Sequence, residues 1–387
     1  MKKTLTKTIW ILSLVSLFTD MASELLYPIM PMYLQSIGFS VMLIGVLEGI
    51  AEATAGLSKG YFGKLSDSIG KRLPFVQIGY GLSAISKPMM AIFVTPLWIF
   101  FARALDRLGK GIRTGARDAL LSDETTPENK GKVFGFHRSM DTTGAVLGPA
   151  LALVYLYFYP ENYKTLFLIA FLPGLLAILC TFLIKEKKIA SSQSAKVFSI
   201  FAFLNYWQRS PKKYRQVVSG FLIFALANSS DAFLLLKIKE TGLDDTWVIG
   251  IYIFYNFAYA LLAYPVGIWA DKVGLRTSFV VGMFLFALVY IFIPFVTNFW
   301  LFLLLFWIYG MYAAFTEGIT KAWISNISDK KDTATAIGTY SAFQSICIML
   351  SSAFAGMVWA NFGATTSFII SGIVALGVGC YFWFKKE

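Results

Sequence analysis

Residues 63–72 read Gly-Lys-Leu-Ser-Asp-Ser-Ile-Gly-Lys-Arg, and residues 267–276 read Gly-Ile-Trp-Ala-Asp-Lys-Val-Gly-Leu-Arg. Both have the form G-x-x-x-D-x-x-G and they lie 204 residues apart; Gly38 and Gly242 keep the same offset. Each stretch is short, polar and flanked by apolar runs of roughly 20 residues, the length a helix needs to cross a bilayer. A turn repeated at matching positions between such runs marks a membrane chain made of two similar halves.

The composition agrees. Of 387 residues, 57% are hydrophobic, 17% aromatic and only 14% charged, against about 25% charged in soluble domains. No soluble fold of this length hides that much apolar surface, so a soluble enzyme, a disordered chain and a secreted disulfide scaffold are excluded. Twelve spans fit: 8–34, 41–60, 73–95, 97–121, 132–158, 164–184, 216–238, 247–269, 277–296, 299–325, 333–359 and 364–384. The first carries Asp20 and Glu24 and lacks a small-residue cleavage site, so it is not a signal peptide. The expected fold is an all-α membrane protein: twelve transmembrane helices as two six-helix pseudo-repeats around a central cavity. Residues 1–184 form the first bundle, 185–215 a cytoplasmic basic linker and 216–387 the second bundle. Three cysteines in apolar runs and one histidine, His137, give no metal or disulfide framework. No cofactor is expected. With no nucleophile, metal or nucleotide motif, neither is an enzyme.

The net charge of +12 is mostly topology. If the N-terminus is cytoplasmic, 22 of the 34 Lys and Arg fall in cytoplasmic segments, eight of them in 185–215, while only Lys164 and Lys239 fall in opposite loops. That asymmetry puts both termini inside, and the lipid bilayer, not nucleic acid, is the expected partner.

With these loops and spans in place, the chain resembles the major facilitator superfamily over nearly its whole length. That family's loop signature is G-x-x-x-D-(R/K)-x-G-(R/K)-(R/K), and the first copy departs only at Ser68. Arg103 to Asp123 has the spacing of the family's Arg-to-Asp stretch, and Gly144-Ala-Val-Leu-Gly148-Pro149 looks like its antiporter-associated glycine-proline motif. The resemblance implies two bundles that rock around a cavity walled by spans 1, 2, 4, 5, 7, 8, 10 and 11. It also assigns Gly63, Asp67, Gly70, Arg72, Asp271 and Arg276 to gating, and implies a multi-pass, monomeric protein of the plasma membrane (a bacterial inner membrane).

Ionisable residues inside spans are costly and need partners or water. The first half has fifteen, the second only Asp231, Lys237, Glu317 and Lys321. At 100° per residue, Arg103, Asp106, Arg107, Lys110, Arg113, Arg117 and Asp118 occupy an arc of about 140° on span four. Asp20, Glu24, Glu48 and Glu52, on spans one and two, are the candidate proton carriers. Arg103, Asp106, Arg107 and Lys110 are the candidate anion site. Arg113, Arg117, Asp118, Arg138 and Asp141 form an inner charge cluster. Lys87, on a span the family packs outside the cavity, has no account in the sequence. Through the 204-residue offset, Glu24 corresponds to Asn228, Glu52 to Asn256 and Arg103 to Trp307. Asn228, Asn256 and Trp307, together with Asp231, are expected to shape the organic part of a substrate.

Ion pairs can equally be rivets between helices, but rivets need two or four charges where span four alone has seven. A surplus of bases suits an anionic ligand. The expected function is a proton-coupled secondary transporter of a small organic anion or amphiphile, working by alternating access. FTDMASELLYP (from Phe18) and LDRLGKGIRTGARDALLSDE (from Leu105) resemble a prokaryotic subgroup with members tied to siderophore or metal-chelate traffic. The alternatives are a multidrug:proton antiporter and, with less behind it, a non-transporting receptor.

Overall fold

The computed structural model describes residues 5–27, 29–186 and 202–384. Residues 187–201 of the linker and the side chain of Glu48 lie outside the described residues. Helices account for nearly all of the rest. They are α1 (Lys7–Glu24), α2 (Met30–Ser36), α3 (Val41–Ile69), α4 (Leu73–Ile92), α5 (Pro96–Asp123), α6 (Lys130–Phe158), α7 (Tyr163–Thr181) and α8 (Ala202–Arg209). The second half contributes α9 (Lys212–Ala225), α10 (Ala232–Lys239), α11 (Asp245–Val273), α12 (Leu275–Phe292), α13 (Phe299–Ile327), α14 (Thr333–Phe362) and α15 (Ala364–Phe384).

Local chemistry sets the ends. The Thr6 hydroxyl accepts the Ile9 N–H at 3.3 Å and the Ser40 hydroxyl accepts that of Leu43 at 3.2 Å, capping α1 and α3. Gly70 ends α3 in the left-handed region (φ 68°), where a side chain would be strained.

Two of the twelve expected spans are not continuous. Span one divides into α1 and α2, and span seven into α9 and α10, at equivalent points of the two halves. Both breaks keep apolar residues on each side, so composition does not reveal them. Leu226-Ala-Asn-Ser-Ser-Asp231 did carry a signal, because Asn, Ser and Asp compete with the helix for its own backbone groups.

Packing groups the chain into two compact units. One holds residues 1–126, 140–210 and 328–342; the other holds 127–139, 211–327 and 343–387. The first turns of α6 therefore group with the second half of the sequence, and the first turns of α14 with the first half. Among the described residues, seven helices are long and apolar enough to cross a membrane by length and composition alone: α6, α7 and α11–α15.

Candidate functional site

In the first unit α5 lies between α3 and α4, brought close by glycines. A Cβ on Gly79 would sit 2.6 Å from the Gly109 carbonyl oxygen, and one on Gly109 2.5 Å from that of Gly79. This contact draws the charged stripe of α5 onto α4, and it accounts for Lys87. The Lys87 ammonium, 2% exposed, lies 3.4 Å from Asp106 Oδ1 and donates to the Ser83 carbonyl at 2.9 Å. Asp106 Oδ2 faces Arg103 at 3.7 Å. One carboxylate thus serves two bases.

The neighbouring charges are arranged differently. Arg107 pairs with Glu52 of α3 at 3.2 Å, with Glu52 largely exposed. Lys110 is exposed and makes no hydrogen bond or salt bridge among the described residues. Arg113 turns to α4, donating to Ser83 Oγ at 2.7 Å with its guanidinium 4.6 Å from the Tyr80 ring centre. Arg117 grips Asp118 through two nitrogens at 2.9 Å and donates to Ser16 Oγ at 3.2 Å. Ser16 in turn donates to Asp141. The inner cluster is therefore split: Arg117, Asp118 and Asp141 meet through Ser16, whereas Arg138 belongs to the other unit and pairs with Glu317 at 3.4 Å.

Asp20 lies among Glu24, Asp141, Lys110 and Arg113. The glycines of the glycine-proline motif press α6 onto α1 at this level. A Cβ on Gly144 would sit 3.1 Å from Asp20 Cβ, and one on Gly148 2.6 Å from the Leu25 nitrogen at the end of α1. The motif thus works as a close-packing surface beside two acids and a helix break.

The second unit is aromatic where the first is charged. Tyr309 donates to Asp231 Oδ1 at 2.7 Å, and the Asn228 amide donates to Tyr312 Oη at 3.3 Å. The Tyr309 and Tyr312 rings are 5.2 Å apart, Tyr255 and Tyr309 5.0 Å, and Tyr290 stacks on Phe286 at 3.9 Å. Asn228 and Asp231 are thus brought together at the α9–α10 break. Asn256 instead donates to the Tyr252 carbonyl in its own helix, and Trp307 packs on Phe254.

Each repeated loop holds the start of a long helix. Asp67 Oδ2 accepts both the N–H and the hydroxyl of Thr335, each at 2.6 Å, in the first turn of α14. The Asp271 oxygens accept the N–H groups of Gly131 and Lys132, both at 2.7 Å, in the first turn of α6. A helix start offers unpaired N–H groups and a positive dipole end, which suit a carboxylate. Small residues permit the approach, since a Cβ on Gly63 would sit 2.5 Å from the Ala334 carbonyl. The arginines differ. Arg72 bridges Asp67 (3.2 Å) and Asp123 (2.9 Å), whereas Arg276 donates to the Phe382 and Trp383 carbonyls at 2.5 and 2.7 Å, at the end of α15. Glu186, which the sequence did not single out, accepts the N–H groups of Arg72 and Leu73 at 2.5 and 3.1 Å and caps α4.

A two-halved helical membrane chain whose repeated loops grip helix starts is a transporter scaffold. The chain belongs to the Major Facilitator Superfamily, whose family model matches residues 12–254 and 217–387. It is 30% identical over 378 residues to an uncharacterized MFS-type transporter of Methanocaldococcus jannaschii, covering 96% of this chain and 93% of that one. A multi-drug resistance efflux pump of Streptococcus pneumoniae is 24% identical over 286 residues, 70% of this chain and 69% of its own. The staphyloferrin B transporter of Staphylococcus aureus is 33% identical over 131 residues, 33% of this chain and 31% of its own. Among solved structures, the human organic anion transporter MFSD10 superposes with a TM-score of 0.82 at 15% identity, over 97% of this chain and 98% of that one, a likeness of fold. The protein is thus a multi-pass membrane transporter and not an enzyme.

Proposed function

We propose that the chain is a proton-coupled secondary transporter of a small organic anion or amphiphile, a carboxylate chelate among the candidates. The observation that carries this reading is the sharing of Asp106 between Lys87 and Arg103. The acid expected to neutralise the α5 bases is already engaged by a buried lysine from α4, and Lys110 of the same stripe is exposed. A local surplus of bases supports recognition of an anion, and Arg103 and Arg107 offer the planar fork that reads carboxylates. Similarity to a siderophore transporter over a third of the chain agrees with it. Asp20, Glu24 and Glu52 would carry the proton, with Asp67 and Asp271 as gates.

Reconstitution in proteoliposomes tests both parts. Lys110→Gln removes an exposed charge that makes no hydrogen bond or salt bridge among the described residues, so the fold should survive while affinity for a carboxylate chelate falls about ten- to hundredfold, on the order of 1.5–3 kcal/mol. Glu52→Gln should abolish accumulation driven by a pH gradient but keep substrate exchange. Unchanged anion affinity in folded Lys110→Gln and Arg103→Gln would sink the anion reading. The multidrug alternative, supported by the pump relative and by the Asp231–tyrosine group, would then stand.

A further inference from the structure

At the end of the second unit where α11 passes into α12 there is a cavity of about 680 Å³. Lys213, Asp271, Arg276, Thr277, Trp323 and Trp383 are on its wall. Asp271, the only acid among the described residues of that wall, is turned to the N–H groups of Gly131 and Lys132. Lys213 is exposed and makes no hydrogen bond or ion pair among the described residues. Arg276 uses Nε and Nη2 on the Phe382 and Trp383 carbonyls, which leaves Nη1 unclaimed by them. The wall also includes Gly274, Leu275, Arg276 and Thr277, the start of α12, where no side chain among the described residues caps the helix.

The first half shows what such a place holds. The backbone N–H groups of Arg72 and Leu73 correspond through the 204-residue offset to those of Arg276 and Thr277. In the first half they receive both oxygens of the Glu186 carboxylate. In the second half no described side chain takes the equivalent N–H groups, and Arg276 and Thr277 are on the wall of the cavity together with Lys213. A carboxylate fills the first position, and Arg72 beside it is paired with Asp67 and Asp123; at the second, Lys213 is added and Arg276 meets backbone carbonyls instead of carboxylates.

We propose that this cavity binds a phosphate-bearing anion, seated on the Arg276 and Thr277 N–H groups and held by Lys213 and the Arg276 guanidinium. Exposed backbone N–H groups at a helix start with nearby bases form a phosphate site. The volume exceeds what a bare phosphate needs and falls in the range of small-molecule pockets. Two sources share this chemistry: the phosphodiester headgroup of an anionic lipid and a soluble phosphate ester. Because Asp271 lies on the same wall, an occupant would lock the contact between Asp271 and the start of α6. The site is separate from the α5 stripe and does not depend on the anion-transport reading.

The test is thermal unfolding of the full chain in neutral detergent, titrated with phosphatidylglycerol, phosphatidylcholine, inorganic pyrophosphate and sodium chloride at matched ionic strength. A ligand that binds only the folded protein raises its melting temperature. Phosphatidylglycerol or pyrophosphate should raise it by several degrees, and phosphatidylcholine and chloride should not. A response to phosphatidylglycerol alone identifies a lipid headgroup; a response to pyrophosphate identifies a soluble ester. Lys213→Glu should weaken the response at least tenfold in ligand concentration while melting like the wild type without ligand. Arg276→Gln should weaken it too, but Arg276 also holds the end of α15, so Lys213→Glu is the deciding variant. No shift with either phosphate compound, or an equal shift in Lys213→Glu, overturns the proposal.

Discussion

The two halves of this chain share a topology and differ in how they satisfy polar groups inside a membrane. Between α3, α4 and α5 the first half places Lys87 and Arg103 on the shared carboxylate of Asp106 and sets the Arg107–Glu52 pair beside them. Around the α9–α10 break the second half places one carboxylate, Asp231, against tyrosine hydroxyls and rings. Charges desolvated together depend strongly on one another, whereas a carboxylate among phenols loses one hydrogen bond at a time. The comparison teaches that the halves of one repeat differ in what a substitution should cost: losing a charge from the buried group of the first should cost more than losing one hydroxyl in the second.

The largest expected effect follows directly. Asp106→Asn leaves Lys87 and Arg103 without their shared counter-charge, and breaking a buried pair by removing one partner costs about 3–5 kcal/mol. The purified variant should melt well below wild type in detergent. Lys87→Met combined with Asp106→Asn removes one charge of each sign, leaves an amide oxygen on α5 to accept from Arg103, and should recover most of the loss. A single variant that melts like the wild type would dissolve the contrast between the halves.

The matching change in the second half is Tyr309→Phe. It keeps the ring among Tyr255, Tyr312 and Phe286 and removes only the hydroxyl that donates to Asp231. A hydrogen bond to a charged group is worth about 1.5–3 kcal/mol, so the loss should be smaller than for Asp106→Asn. If Tyr309→Phe proves the more damaging of the two, Asp231 is the stronger centre and the ranking of the halves reverses.

Sequence reading reached the parts of this architecture that are periodic. The repeated loop showed the two halves, and the angular stripe showed that α5 is the polar helix. Both are properties of one strand of text, read at a fixed spacing. What it missed depends on which face meets which neighbour. Lys87 made no sense on its own helix, because its partner lies 19 residues away across the Gly79–Gly109 contact. Arg138 and Asp141 share a helix face but belong to different units, since the partner that claims Arg138 is Glu317, 179 residues on. The breaks in spans one and seven escaped because hydropathy does not sense backbone geometry. Asn256 and Trp307, which the offset matches to Glu52 and Arg103, pair with Tyr252 and Phe254 and not with Asn228 or Asp231 in any contact described: a repeat in sequence fixes the backbone level of a residue, not its company.

The smallest effects, at the two repeated loops, give the finest comparison. Asp67 has three partners: Arg72 on one oxygen and the N–H and hydroxyl of Thr335 on the other. Asp271 has two, the N–H groups of Gly131 and Lys132. Asn in place of Asp67 can keep the acceptor for Thr335, but it loses the charge that both Arg72 and the α14 start prefer. Arg72 keeps Asp123, so the loss stays well below that of a stranded charge. Asn in place of Asp271 can accept one N–H, while its own amide faces the other. The free energies expected are about 2 kcal/mol for Asp67→Asn and about 1 kcal/mol for Asp271→Asn. Amide hydrogen exchange reads each locally, since an amide freed more often exchanges faster. The Thr335 amide should speed up about thirtyfold in Asp67→Asn, and those of Gly131 and Lys132 about fivefold in Asp271→Asn, with ligand affinity near wild type in both. Equal acceleration at the two loops would mean that Arg72 adds nothing to the first, and that the loops, unlike the bundles they serve, have stayed equivalent. A large loss of ligand affinity in either folded variant would instead place that carboxylate in the substrate site and remove it from the gates.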